Sequence, residues 1–319
     1  MRTFRTMLLL AAMAWGRGNT LRAQAPSPAP TPSAPTPASS ITVPQSGLLR
    51  LPPANDPSSQ KAGQLLEQMV AALGGQAYLN VQDADQQGRA YSFDSKGEAS
   101  TTGAPFERFW RWPDQERVEL TEPGISVGLD PIGLGIPLPI PVEKTAHVTV
   151  IYSGAQGYEI SGQGTAAIPK DDLSDYLRRR DHSLPWVLRK WLSEPGIALF
   201  YEGSVLAERK QAEQVSLITA QNDAVTIAID TLTHLPVQIV FTWRDPKYHD
   251  KNEEVESYDN YRPEQGIMTP FSVIRYYNGL PRSQRFVTST KYNQQLPDTL
   301  FSAKVTSAPE KTSSKGKKK

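Results

Sequence analysis

The chain reads as an α+β protein built on one large curved antiparallel β-sheet wrapped around a single leading helix. Three observations predict this. Apolar residues recur at helical spacing near the start, at Leu65, Leu66, Met69, Val70 and Leu73. From Gln86 onward most stretches alternate with period two, and short polar connectors such as Gln221-Asn222-Asp223, Pro263-Glu264-Gln265-Gly266 and Asn278-Gly279 join them as hairpins. A second block of helical spacing, 170–196, interrupts the strands once. An antiparallel sheet of this size twists and curls, and the leading helix is the natural filler of its concave side.

The elements follow in order. Asp56 caps the leading helix, Pro57 suits its first turn, and Gly74-Gly75 supplies the left-handed stop. Strands are expected at 86–93, 104–112 and 115–122. In the second, Phe106, Arg108, Trp110 and Trp112 share one face, with Phe109 and Arg111 on the other. The segment 130–144, DPIGLGIPLPIPVEK, has neither period. Its prolines oppose helix and interior ladder pairing, and aliphatics such as Leu134, Ile136 and Leu138 are too costly to leave in water. It is expected to be an extended flap over a cavity mouth: permanent core, a lid displaced by an apolar ligand, or a docking surface for a partner. A strand at 145–152 and a turn-rich stretch at 153–164 lead to two helices, with Asp171 or Asp172 capping the first. Ser183 caps the second, Pro185 sits in its first turn, and Pro195-Gly196 stops it. Strands resume at 197–207, 214–220, 224–230, 236–243, 254–261, 267–279 and 284–293, for about eleven in all.

The ends are of different composition. Arg2 and Arg5, the apolar run Met7–Trp15 and the site Ala23-Gln24-Ala25 have the layout of a secretory signal cleaved after Ala25, so residues 1–25 are expected to be a leader of an exported, periplasmic protein. Residues 26–58 are dominated by Pro, Ala, Ser and Thr and read as a semi-extended linker, and 306–319 as a disordered basic tail. The folded domain is then 59–305. The four leader arginines and five tail lysines less Glu310 contribute +8 to a total of +1, while Arg50 and Asp56 cancel, so this domain carries −7. That balance argues against a nucleic-acid partner. A monomer is expected.

The chain has no Cys, which removes disulfides, thiol nucleophiles, thiolate metal sites and a lipobox. His147, His182, His234 and His249 fall in no zinc-protease spacing, and no nucleophile elbow, P-loop or dinucleotide fingerprint occurs. The acidic run His249–Glu256 fits no calcium loop and reads as a solvated hairpin tip. No cofactor, metal or enzymatic activity is expected.

The residues also resemble a known family. Residues 65–90, LLEQMVAALGGQAYLNVQDADQQGRA, are similar to the opening of LolA-like proteins, the periplasmic outer-membrane lipoprotein-sorting superfamily. Asp230, Thr233, Leu235 and Pro236 resemble its hairpin, Tyr261, Gly266 and Pro270 a third pattern, and Asn293 with Phe301 its ending. The resemblance implies an unclosed half-barrel around the leading helix, a hydrophobic cavity and a lid of short helices. It implies a carrier holding a lipid, an acyl chain or a lipidated protein, with lipoprotein sorting to the outer membrane as one role.

The candidate cavity residues are Trp110 and Trp112 on the sheet, Leu134, Ile136 and Leu138 on the flap, and Trp186 and Trp191 on the lid. Arg179, Arg189 and Lys190, beside those tryptophans, are candidate contacts to a lipid headgroup or membrane surface. An amphipathic helix packed on its own sheet explains the same residues. The alternative for the whole chain is a structural or interaction protein of the cell envelope whose cavity is filled by its own side chains.

Overall fold

The structure, a computed structural model, describes residues 47–53, 56–99, 103–122, 146–245 and 247–303. The leader, most of the linker, the basic tail and the 130–144 segment with Leu134, Ile136 and Leu138 lie outside the described residues.

Helix α1 spans Pro57–Leu73. Asp56 accepts the Ser59 N–H at 3.0 Å, and the Gly75 N–H reaches the Val70 carbonyl at 2.8 Å to close the C-terminus. Gly74 has φ +123°, and a Cβ there would lie 2.5 Å from the Gly266 carbonyl, so only glycine ends the helix against that turn. The stripe Leu65, Leu66, Met69, Val70, Leu73 is buried as its spacing requires. A single further turn, α2 (Gln76–Leu79), is too short for periodicity to reveal. Within the tract that composition assigns to the linker, Leu48, Leu49 and Leu51 pack against the core. The N–H groups of Leu48 and Leu49 donate to the buried Glu67 carboxylate at 3.3 and 3.0 Å.

Thirteen strands among the described residues form one sheet. They are β1 (Asp83–Ser92), β2 (Ala104–Arg111), β3 (Gln115–Glu122), β4 (Ala146–Ser153), β5 (Gln156–Ser161), β6 (Gly164–Ala167), β7 (Ala198–Ala207), β8 (Lys210–Ile218), β9 (Ala224–Asp230), β10 (Pro236–Arg244), β11 (Lys251–Glu264), β12 (Ile267–Tyr277) and β13 (Leu280–Tyr292). The order is β6-β5-β4-β3-β2-β1-β13-β12-β11-β10-β9-β8-β7, antiparallel throughout. The first and last strands therefore meet in the middle. The two free edges, β6 and β7, are neighbours in sequence and are joined by α3 (Lys170–Asp181), α4 (Leu184–Arg189) and a 3₁₀ turn at Trp191–Ser193. This is the unclosed half-barrel that the resemblance implies, with helices on its inner face.

Three sequence expectations need correction. The turn-rich stretch after β4 is not only turn: it forms β5 and β6, whose short lengths and Gly-rich flanks hide the alternation. Asp171 and Asp172 do not cap α3. Pro169 occupies the cap position without a side-chain bond, and the two acids sit in the first turn, where the helix dipole favours them. Ser183 stands at the N-cap of α4, but its hydroxyl donates back to the Arg180 carbonyl at 2.7 Å.

The β1–β13 seam shifts register between Gln87 and Gly88. A Cβ on Gly88 would lie 2.1 Å from the Phe286 carbonyl and 2.9 Å from the Phe106 ring. Gly88→Ala must push apart two central strands, and we expect it to cost about 2–3 kcal/mol in urea denaturation. A cost below about 0.5 kcal/mol, within the range of an ordinary surface change, would show that the seam yields freely.

Candidate functional site

Strand register fixes what the inner face presents. On one wing, Val118 of β3 sits between Arg108 of β2 and Val150 of β4, and Leu120 between Phe106 and Val148. On the other, Val215, Ile227 and Ile239 run side by side across β8, β9 and β10. Both wings are apolar and form separate core clusters, the second filled by α1. The central strands differ. β1 offers only Ala84, Gln86, Gly88 and Ala90 at alternating positions, and the strands beside it carry Arg108, Arg285, Arg275, Glu256 and Glu254. Between the wings lies space that neither fills.

That space is a cavity of about 270 Å³ between the sheet and the helices. Its floor includes Gln86, Arg108, Glu116, Glu256 and Arg285. Its walls include Tyr258, Tyr261, Met268 and Tyr292, and its roof Tyr176, Arg179 and Leu184. The charges of the floor are paired across strands. Arg108 bonds Glu116, which also accepts the Tyr176 hydroxyl at 2.9 Å. Arg275 lies 3.3 Å and Arg179 3.7 Å from Glu254, and Arg285 lies 3.7 Å from Glu256. Burial, followed by the neighbouring carboxylates, pushes the Tyr176 and Tyr258 hydroxyls well above their usual range, so both stay protonated donors. Burial lowers the affinity of Arg285 for its proton, and Glu256 opposes that shift.

Helix α3 is fixed to both wings. The Tyr176 ring stacks on Tyr152 of β4 with centroids 3.4 Å apart, while Arg178 lies 4.5 Å over the Trp243 ring of β10. The mouth lies beside α4. Trp112 and Trp186 meet with centroids 5.7 Å apart. Arg189 covers the Trp112 ring at 3.7 Å, Lys190 the Trp186 ring at 3.7 Å, and Arg180 the same ring at 4.6 Å. Arg189 also donates to the Val81 carbonyl at 2.8 Å.

Trp110, Trp112, Trp186, Arg179 and Arg189 thus line the space, and Lys190 stands on its aromatic rim. Trp191 does not line it. Its ring is buried in the core beside His182, because the 3₁₀ turn after α4 swings it toward β10. Stacking of His182 on Phe241 buries the imidazole and lowers its pKa. Arg179 faces the floor rather than the surface, with its side chain only 14% exposed. The acidic run before Glu256 is not a solvated tip as a whole. It enters β11, so Glu253 points out while Glu254 and Glu256 turn to the inner face, where arginines hold them. No signal in that run distinguishes the two sides, since the countercharges come from other strands. Among the described residues, no cluster of three or more His, Asp or Glu is placed to hold a metal ion, and no helix is long and apolar enough to cross a membrane.

No family profile and no curated protein matches the chain. Solved structures that align with the chain include an outer membrane lipoprotein-sorting protein domain from Vibrio parahaemolyticus, with TM-score 0.44, 10% identity, and 76% of this chain and 97% of that one covered. A DUF1329 family protein from Desulfovibrio piger aligns with TM-score 0.46 and 10% identity over 76% of this chain and 97% of its own. A LolA superfamily protein from Nitrosomonas europaea aligns with TM-score 0.42 and 11% identity over 77% and 97%.

Proposed function

We propose that this chain is an exported, non-catalytic binding protein that holds an acyl chain, as part of a lipid or of a lipidated protein, between its sheet and its helices. One observation carries the reading: between the sheet and the helices lie about 270 Å³ that the chain's own side chains do not fill. The volume is slightly below the roughly 300–1,000 Å³ of ordinary ligand pockets. It takes a short acyl segment as it stands, and a longer one requires α3 and α4 to move outward. Binding comes from burial of apolar surface at about 25 cal/mol per Å², offset by the cost of moving the lid. The resemblance of 65–90 and of the later motifs to lipoprotein-sorting proteins supports this reading.

The test is native mass spectrometry and solvent extraction of the purified chain, followed by titration with a fluorescent acyl probe. A stoichiometric amphiphile, or saturable uptake of the probe with a change in tryptophan emission, is the expected result. A chain that carries nothing and takes up no probe is instead the envelope interaction protein of the alternative reading.

A further inference from the structure

We infer that the ligand's head is an oxyanion, a phosphate or carboxylate, held at the cavity mouth by Arg189 and Lys190. This rests on the acyl-binding reading above and adds to it the chemical class of the head.

Most of the arginines around the cavity are accounted for. Arg108 has Glu116, Arg179 has Glu254, Arg285 has Glu256, Arg111 has Asp298 at 2.6 Å, and Arg180 has Asp181 at 2.9 Å. Arg189 is the exception. Among the described residues it makes no ion pair, and its contacts are the Val81 carbonyl and the Trp112 ring. Lys190 likewise makes no ion pair among the described residues and rests on Trp186. Asp114 lines the same cavity but pairs with neither. Burial depresses the Arg189 pKa, as expected for a partly desolvated cation without a carboxylate.

A partly buried guanidinium with no ion-pair partner among the described residues costs free energy unless something supplies the charge. The carbonyl and the indole orient it without neutralising it, and the Trp112–Trp186 pair holds two cations one residue apart on one rim. Such an arrangement receives an oxyanion through charge-assisted hydrogen bonds, while the tail runs inward past Gln86. The arginines deeper in the floor are bound to glutamates, so the mouth is where an unpaired cation is open to a ligand.

Calorimetric titration of the full chain with dodecyl phosphate, dodecanol and inorganic phosphate tests this. Dodecyl phosphate is expected to bind at least about tenfold more tightly than dodecanol, the return on one charge-assisted bond. The double variant Arg189→Gln, Lys190→Gln should remove that advantage, so that its affinities for dodecyl phosphate and dodecanol agree within about twofold. Equal affinity for the phosphate and the alcohol in the parent chain overturns the oxyanion site and leaves the acyl-binding reading intact. Binding of inorganic phosphate alone, with neither dodecyl compound taken up, supports the oxyanion site but overturns the acyl reading. No binding of any of the three overturns both. If the double variant loses affinity for dodecanol and dodecyl phosphate alike, the two cations only support the fold of the mouth. Arg189→Lys, which keeps the charge, then serves as the check: retention of the phosphate preference there supports the site, and its loss overturns it.

Discussion

Glu116→Ala is expected to lower stability by about 3 kcal/mol, the lower end of the cost of breaking a buried ion pair. Glu116 is 8% exposed and is shared by two donors, Arg108 on β2 and the Tyr176 hydroxyl on α3. Removing it strands a guanidinium whose side chain is 24% exposed, together with a buried phenol. The partial exposure of Arg108 lets water soften the loss, which is why the lower figure is chosen. Glu116→Gln separates the two roles. It can still accept from Tyr176 but no longer neutralises Arg108, so it should fall between parent and alanine variant. Urea denaturation with two probes, tryptophan emission and far-ultraviolet dichroism, measures all three proteins. A loss under about 1 kcal/mol for the alanine variant would mean that Arg108 finds another partner and that the floor network is replaceable.

Leu66→Ala is expected to cost about 3 kcal/mol, in the middle of the range for a large-to-small change in a packed core. Leu66 is fully buried on α1, which packs on β7, β8 and β12. It belongs to the filled wing of the inner face and not to the cavity lining. The variant should therefore lose stability while its affinity for an acyl probe changes by no more than about twofold, about 0.4 kcal/mol by the usual conversion. If affinity falls in proportion to stability, the filled wing and the open centre are one cooperative unit, and the division between them does not hold.

The legible parts of the sequence were those governed by local rules. The Asp56 cap, the α1 stripe and the Gly74-Gly75 stop all depend on residues a turn apart, and each is in place. The face shared by Arg108, Trp110 and Trp112 follows from period two alone. What escaped depends on residues far apart. Glu254 and Glu256 look like surface acids until β12 and β13 bring Arg275 and Arg285 to them. Trp186 and Trp191 look equivalent until one short turn sends the second into the core. β5 and β6 were lost because strands of six and four residues, each containing a glycine, carry too little alternation to separate from turn. The polar centre of the inner face is a property of strand order, and strand order is not written in any single strand.

That order has a consequence for how the molecule is made. Each wing consists of strands joined to their sequence neighbours, so its pairings are close in sequence compared with those of the seam. Asp83 at the start of β1 accepts the N–H of Gln294, just past β13 and 211 positions away. Contacts of such separation carry the largest closure entropy and form late. The cavity straddles this seam, with Gln86 contributed from one side and Arg285 and Tyr292 from the other. The cavity therefore exists only in chains whose last strand has docked on the first. A molecule in which that seam has not closed lacks it.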